Sequence, residues 1–136
     1  MLNHNYSFPV RVYYQDTDAG GVVYHSTHLN FMERARYEWL RELGFDVNSL
    51  IHTHKMLFMV RSVEVDYLKP ALLDNLLHVT VQVSEIGGCR ITICQEILRD
   101  DVKLLNATVH IVCVGADSLK PVRIPMPLRQ KMKEPS

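Results

Sequence analysis

Apolar and polar positions change period along the chain, and the changes mark out its elements. Val10, Val12 and Tyr14 fall on one side of an alternating segment, so Phe8–Tyr14 predicts a strand. Leu29, Met32, Arg36, Trp39, Leu40 and Leu43 then recur at helical spacing, with Ala35 beside them. Glu33, Arg34, Glu38, Arg41 and Glu42 cover most of the remaining surface, which predicts a long helix over Thr27–Leu43 with Gly44 as its stop. Phe45–His54 follows neither period and reads as a loop with a short helical turn. From Met56 the period is two. Strands are predicted over Phe58–Leu68, Leu76–Ile86, Cys89–Leu98 and Lys103–Gly115, with Gly87-Gly88 as a two-residue hairpin turn of the kind that takes positive φ. Pro121, Pro125 and Pro127 break up the C-terminal stretch and leave room for one short helix.

The predicted order is β-α-β-β-β-β, a helix followed by a meander of four strands. Segregated elements of this kind give an α+β fold, with one amphipathic helix on one face of a five-stranded antiparallel sheet. One helix cannot cover the second face or the edges, and a second copy of the chain is the simplest cover. The 136 residues predict one domain, 1–136. Fifteen Lys and Arg balance fifteen Asp and Glu, so no field for polyanions arises and nucleic acid is not an expected partner. No apolar run approaches the ~20 residues that span a bilayer. Met1–Tyr6 lacks the basic and apolar regions of a secretory signal. Cys89, Cys94 and Cys113 show no CxxC or ligand spacing and read as reduced thiols, which points to the cytoplasm.

Acidic, imidazole and glycine groups converge only between Gln15 and His28. Asp16 and Asp18 precede Gly20-Gly21, and His25 and His28 follow near the start of the predicted helix. A helix N-terminus offers free N–H groups and partial positive charge, suited to a carbonyl oxygen that gains negative charge. Paired glycines let a ligand approach the backbone, and a nearby carboxylate can attack a carbonyl or activate water. These parts suffice to hydrolyse an activated acyl group. Each also has a plain structural reading: Asp as cap or turn residue, Gly-Gly as tight turn, His25 as surface histidine. Asp18, His25, His28, His52 and His54 offer metal-ligand chemistry as an alternative, although no HExxH-type spacing joins them.

The run from Arg11 to His25, RVYYQDTDAGGVVYH, followed by Asn30–Arg36, resembles the signature of hotdog-fold acyl-CoA thioesterases. Within them it is similar to the YbgC-type branch of the 4-hydroxybenzoyl-CoA thioesterase family, associated with the Tol–Pal gene cluster. The likeness continues through Phe58–Tyr67, Pro70-Ala71, Leu73-Asp74 and Val112–Val114. It implies a curved antiparallel sheet around one long central helix, in dimers or tetramers with the thioester near the subunit interface. It implies hydrolysis of acyl-CoA without metal or redox cofactor, the second motif Asp, Asp18, being the catalytic carboxylate.

By the same resemblance His25 assists the reaction, and its backbone N–H polarises the thioester carbonyl. Gly20 and Gly21 form the exposing turn, and Tyr24 joins them among the substrate-binding residues. Asp16 is a turn-stabilising residue and His28 inherits no role. Arg90, Lys120 and Arg123 are candidates for the CoA phosphates by location. Tyr14, Phe31, Tyr37, Phe58, Met59 and Tyr67 are candidates either for an acyl pocket or for the core. The alternative function is a non-catalytic scaffold that binds acyl-CoA or acyl carrier protein beside phospholipid synthesis.

Overall fold

The computed structural model describes residues 5–133; part of the N-terminal segment read against a secretory signal, Met1–His4, lies outside them. The elements run β1 (Asn5–Arg11), α1 (His25–Glu42), α2 (Val47–His52), β2 (Met56–Tyr67), β3 (Leu76–Ile86), β4 (Arg90–Arg99), β5 (Val102–Gly115) and α3 (Met126–Lys133). All five strands form one antiparallel sheet in the order β1-β3-β4-β5-β2. Alternate residues of the three central strands are buried: Leu77, Val79, Val81 and Val83 on β3, Ile91, Ile93 and Ile97 on β4, Val109 and Ile111 on β5. They pack with Phe31, Met32, Ala35 and Trp39 of α1 into one core, which gives the α+β hotdog arrangement of a sheet around a long helix.

Four local expectations are corrected. β1 ends at Arg11 instead of Tyr14, because Asp16 Oδ2 accepts from the Tyr13 N–H at 2.8 Å and draws Tyr14–Asp16 into a 3₁₀ turn. Tyr14 is consequently 80% exposed. The helix starts two residues early, at His25, and its buried stripe runs through His28, Phe31, Met32, Ala35 and Trp39. Leu29 stays exposed and Arg36 half-buried, because the stripe starts one residue ahead of the predicted one. Gly87 and Gly88 lie at the β3–β4 hairpin without positive φ. The bend is held instead by the buried Arg129 of α3, whose Nη2 donates to the Gly87 and Gly88 carbonyls at 2.5 and 2.9 Å.

The fourth correction positions the site. β3, β4 and β5 form a meander, but among the described residues β2 pairs only with β5, at the far edge of the sheet. The connection from β2 to β3 must therefore cross the end of the sheet past the β4–β5 turn. Arg99 Nη1 holds it there by donating to Asn75 Oδ1 at 3.2 Å. Pro70 and an Asp74 at φ 69° suit this irregular path, which a two-residue hairpin could not follow. This crossing segment becomes the bed for the Asp-Gly loop.

Candidate active site

Residues 17–23 form a small closed loop. Thr17 and Val23 pair across its base, and the Asp18 N–H donates to the Val22 carbonyl at 2.9 Å. Asp18 Oδ1 accepts from the Gly20 N–H at 2.8 Å and from the Val22 N–H at 3.3 Å, an Asx-type turn. Gly21 takes φ +79°, where a side chain would be strained. The loop is seated on the crossing segment: the Val23 N–H donates to Ala71 at 2.9 Å and the Leu73 N–H to Gly21 at 3.1 Å. The two acids separate sharply. Asp16 is buried and spent on the Tyr13 amide, whereas Asp18 is exposed, with Oδ2 unpartnered among the described residues.

The loop delivers the chain directly to α1. Tyr24 stands at the N-cap with extended backbone and 50% exposure, and its side chain makes no capping hydrogen bond. No acidic residue occupies the first turn either. The leading N–H groups of an α-helix have no partner within the helix. Here that of Thr27 bonds back to the Tyr24 carbonyl at 3.1 Å, and the end presents the donors of His25 and Ser26 with partial positive charge, one short loop after the Asp18 carboxylate.

His25, the first helical residue, is exposed, and its ring stacks on Tyr67 with centroids 4.0 Å apart and planes 14° from parallel. The Tyr67 hydroxyl donates to the His25 carbonyl at 3.0 Å. One turn on, His28 is buried with its edge against Tyr67, and its Nδ1–H donates to the Tyr24 carbonyl at 3.0 Å. Burial lowers the His28 pKa, outweighing the bonds to the Tyr24 and His25 carbonyls that raise it. Burial also raises the Tyr67 phenol. The sequence pattern gives His28 no role and places Tyr67 only among pocket or core candidates. Their convergence depends on the sheet crossing, which no local pattern reveals.

The remaining candidates disperse. Arg90, Lys120 and Arg123 are all exposed. Arg123 Nη1 lies 3.9 Å from where a Gly88 Cβ would be, and Arg90 opposes Val112. Tyr67, by contrast, opposes Leu105. Seven strand residues separate those levels, about 23 Å at the usual rise. Within one chain the basic residues therefore lie at the opposite end of the sheet from Asp18. Phe58 and Tyr37 line a cavity of about 150 Å³ between the helices and the β2–β5–β4 part of the sheet, with Arg36 and Trp39 in its wall. Phe31 is core, while Tyr14 and Met59 face solvent. His52 and His54 lie in and just after α2, and among the described residues no three His, Cys, Asp or Glu side chains are grouped to hold a metal ion. All three cysteines are free thiols, and burial, with Cys89 nearby, pushes Cys113 up to about 11. Among the described residues no helix is long and apolar enough to cross a membrane.

The family model for the thioesterase-like superfamily matches residues 12–132. The chain is 47% identical over 125 residues to the acyl-CoA thioesterase YbgC of Haemophilus influenzae, covering 92% of each chain. It is 39% identical over 130 residues to the acyl-CoA thioester hydrolase YbgC of Escherichia coli O157:H7, covering 95% of this chain and 96% of that one. The crystal structure of a probable thioesterase from Bartonella henselae superposes with a TM-score of 0.86 at 38% identity, covering 90% of this chain and all of the other.

Proposed function

Because the chain belongs to the thioesterase-like superfamily, among its YbgC acyl-CoA thioesterases, we propose that it hydrolyses acyl-CoA with Asp18 as the reacting carboxylate and the N-terminus of α1 as the oxyanion site. The supporting observation is an exposed carboxylate and an uncapped helix end joined by one closed glycine loop. As the tetrahedral intermediate forms, charge moves onto the thioester oxygen, where the N–H groups of α1 stabilise it. Asp18 acts by one of two balanced routes. It attacks the carbonyl carbon, the C–S bond breaks, CoA leaves as thiolate, and water then cleaves the mixed anhydride. Alternatively it takes a proton from water as the oxygen adds to the carbonyl carbon; the C–S bond then breaks and the proton passes from Asp18 to the departing CoA thiolate. Both routes yield a carboxylic acid and CoA. Thiolate is a good leaving group, so one carboxylate and one oxyanion site suffice.

The proposed unit is a single domain of residues 1–136 assembled as a dimer, further paired into a tetramer. Supporting this, β2 is an edge strand that leaves Met59 and Val60 exposed, 43% and 46%. Two such strands paired antiparallel put the Tyr67 end of one beside the Met56 end of the other. Arg90, Lys120 and Arg123 of one protomer then approach the Asp18 loop of its partner, where they neutralise CoA phosphates. His25, Gly20, Gly21 and Tyr24 belong to the thioester end of the same site. The proposal extends to a cytoplasmic setting linked to the Tol–Pal cluster, and to acyl carrier protein as a binding partner.

A steady-state screen of acyl-CoAs graded by length and aromaticity, with EDTA present, tests the reading. Turnover of at least one is expected, by a protein that light scattering sizes as dimer or tetramer. A stable monomer with full activity overturns the assembly, and no turnover of any acyl-CoA overturns the function. Loss of activity on adding EDTA supports the metal alternative instead.

A further inference from the structure

Tyr67 closes β2, 42 residues from the helix end that it touches. Three contacts meet there: its hydroxyl on the His25 carbonyl at 3.0 Å, its face on the His25 ring at 4.0 Å, and its ring edge-on to His28 at 5.5 Å. We propose that Tyr67 is a positioning residue for thioester hydrolysis, fixing the first turn of α1 through its hydroxyl and the His25 imidazole through its ring. The proposal rests on the reading of Asp18 and the helix end as the thioester site.

The physical argument concerns which groups a cap consumes. First turns fray, and this one has neither a side-chain cap nor an acidic residue to steady it. The Thr27 N–H already bonds back to the Tyr24 carbonyl at 3.1 Å, so the donors left for an oxyanion are those of His25 and Ser26, and a Ser, Thr or Asp cap that reached the second residue would take one of them. A phenol hydroxyl on the first carbonyl holds the same turn while consuming no N–H. Tyr67 thus restrains the helix end and leaves it open. The stack supplies a second restraint, because an exposed imidazole is otherwise free to rotate about its side-chain bonds. The phenol is protonated, and so a donor, across the neutral range, since its ordinary pKa of about 10 is raised further by burial.

Kinetics on the best acyl-CoA substrate test this with Tyr67→Phe, Tyr67→Leu, His25→Ala and the His25→Ala/Tyr67→Leu pair. Tyr67→Phe keeps the stack and loses the bond, so kcat should fall ~3–10-fold with KM within about twofold. Tyr67→Leu loses both and should lower kcat ~10²-fold, the scale of a small misplacement at a reacting centre. In the His25→Ala background the Leu effect should shrink to the size of the Phe effect, because no ring remains to be oriented. Unchanged kcat in Tyr67→Phe, or an equal Leu effect in both backgrounds, overturns the proposal. So does a Tyr67→Leu variant whose only change is a lower Tm.

One readout needs no turnover. Ring current from Tyr67 should shift the His25 ring protons upfield in NMR spectra, a shift retained in Tyr67→Phe and lost in Tyr67→Leu. An unshifted wild-type His25 overturns the positioning role. Inactivity toward every acyl-CoA with that shift intact instead overturns the functional reading beneath it.

Discussion

Asp18 and Gly20 constrain one another: the Gly20 N–H donates to Asp18 Oδ1 at 2.8 Å, and a Cβ on Gly20 would meet that same oxygen at 3.3 Å. The carboxylate is held by the loop that it stabilises, so a change in the loop is transmitted to the reacting group. The neighbouring glycine is different. A Cβ on Gly21 meets nothing within 4 Å, but its φ of +79° disfavours any side chain.

The two glycines should therefore fail in different ways. Gly20→Ala should push the carboxylate aside and lower kcat by ~10-fold or more, because small displacements of a reacting group are costly. Gly21→Ala should cost about 1–2 kcal/mol of stability, the usual penalty for a left-handed alanine. Urea denaturation beside steady-state kinetics separates them. Equal kinetic losses with equal stability losses would show that the loop acts only as a turn.

The two aspartates should separate as well. Asn is nearly isosteric with Asp but neither attacks as an anion nor takes up a proton. Asp18→Asn should retain fold and assembly while kcat falls ~10²–10⁴-fold, the scale for one positioned acid–base group. Asp16→Asn should keep turnover in the folded fraction and lose about 1 kcal/mol, because its bond to Tyr13 holds a turn. Near-wild-type turnover by Asp18→Asn rejects the assignment.

Much of this was legible in sequence because it is local. Period-two runs bounded by Pro, Gly and charge placed β3 at its observed ends, β4 and β5 to within one residue, and β2 to within two. Gly44, at φ +94°, ends α1 as read. Side-chain reach was less legible. The Asp16 bond to Tyr13 cut β1 short, and Arg129, distant in sequence, replaced positive φ at the Gly87-Gly88 hairpin. Long-range strand order was not legible at all. The alternation of Phe58–Leu68 fits pairing with β3 as well as with β5, so the crossing that seats the Asp18 loop and brings Tyr67 to His25 stayed hidden. The loop's chemistry could be named, but not its bed.

Stability should decline on acidification through His28. An unfolded imidazole titrates near 6.5, and burial places the folded value lower. Between the two values the unfolded chain binds more protons, so stability rises with pH across that window. The contribution is whole above about 6.5 and is lost as pH falls toward the folded value. His28→Asn keeps a donor for the Tyr24 carbonyl and removes the titration. Denaturant midpoints measured from pH 5 to pH 8 should fall more steeply toward acid in the wild type than in His28→Asn. Parallel slopes would mean that His28 titrates alike in both states.

The separation of Asp18 from the basic residues gives the sharpest test of assembly. If Arg90, Lys120 and Arg123 serve the site in their own chain, they must act across ~23 Å of sheet. If β2 pairs with β2 of a second copy, they serve the partner's site. Two variants distinguish these arrangements: Asp18→Asn, and Arg90→Ala/Lys120→Ala/Arg123→Ala. The triple variant should raise KM more than it lowers kcat, because contacts remote from the thioester act nearly equally on substrate and transition state. When both are co-expressed, a mixed dimer holds one site that combines the intact Asp18 of the triple variant with the intact cations of the Asp18→Asn chain. The other site carries every defect. Random pairing makes half the dimers mixed and restores about a quarter of all sites. At low substrate, kcat/KM should therefore recover to about a quarter of the wild-type value, well above either parent. Cations acting within their own chain leave both sites of the mixed dimer defective. Activity no higher than the average of the two parents would then refute both the shared site and the β2 pairing that creates it.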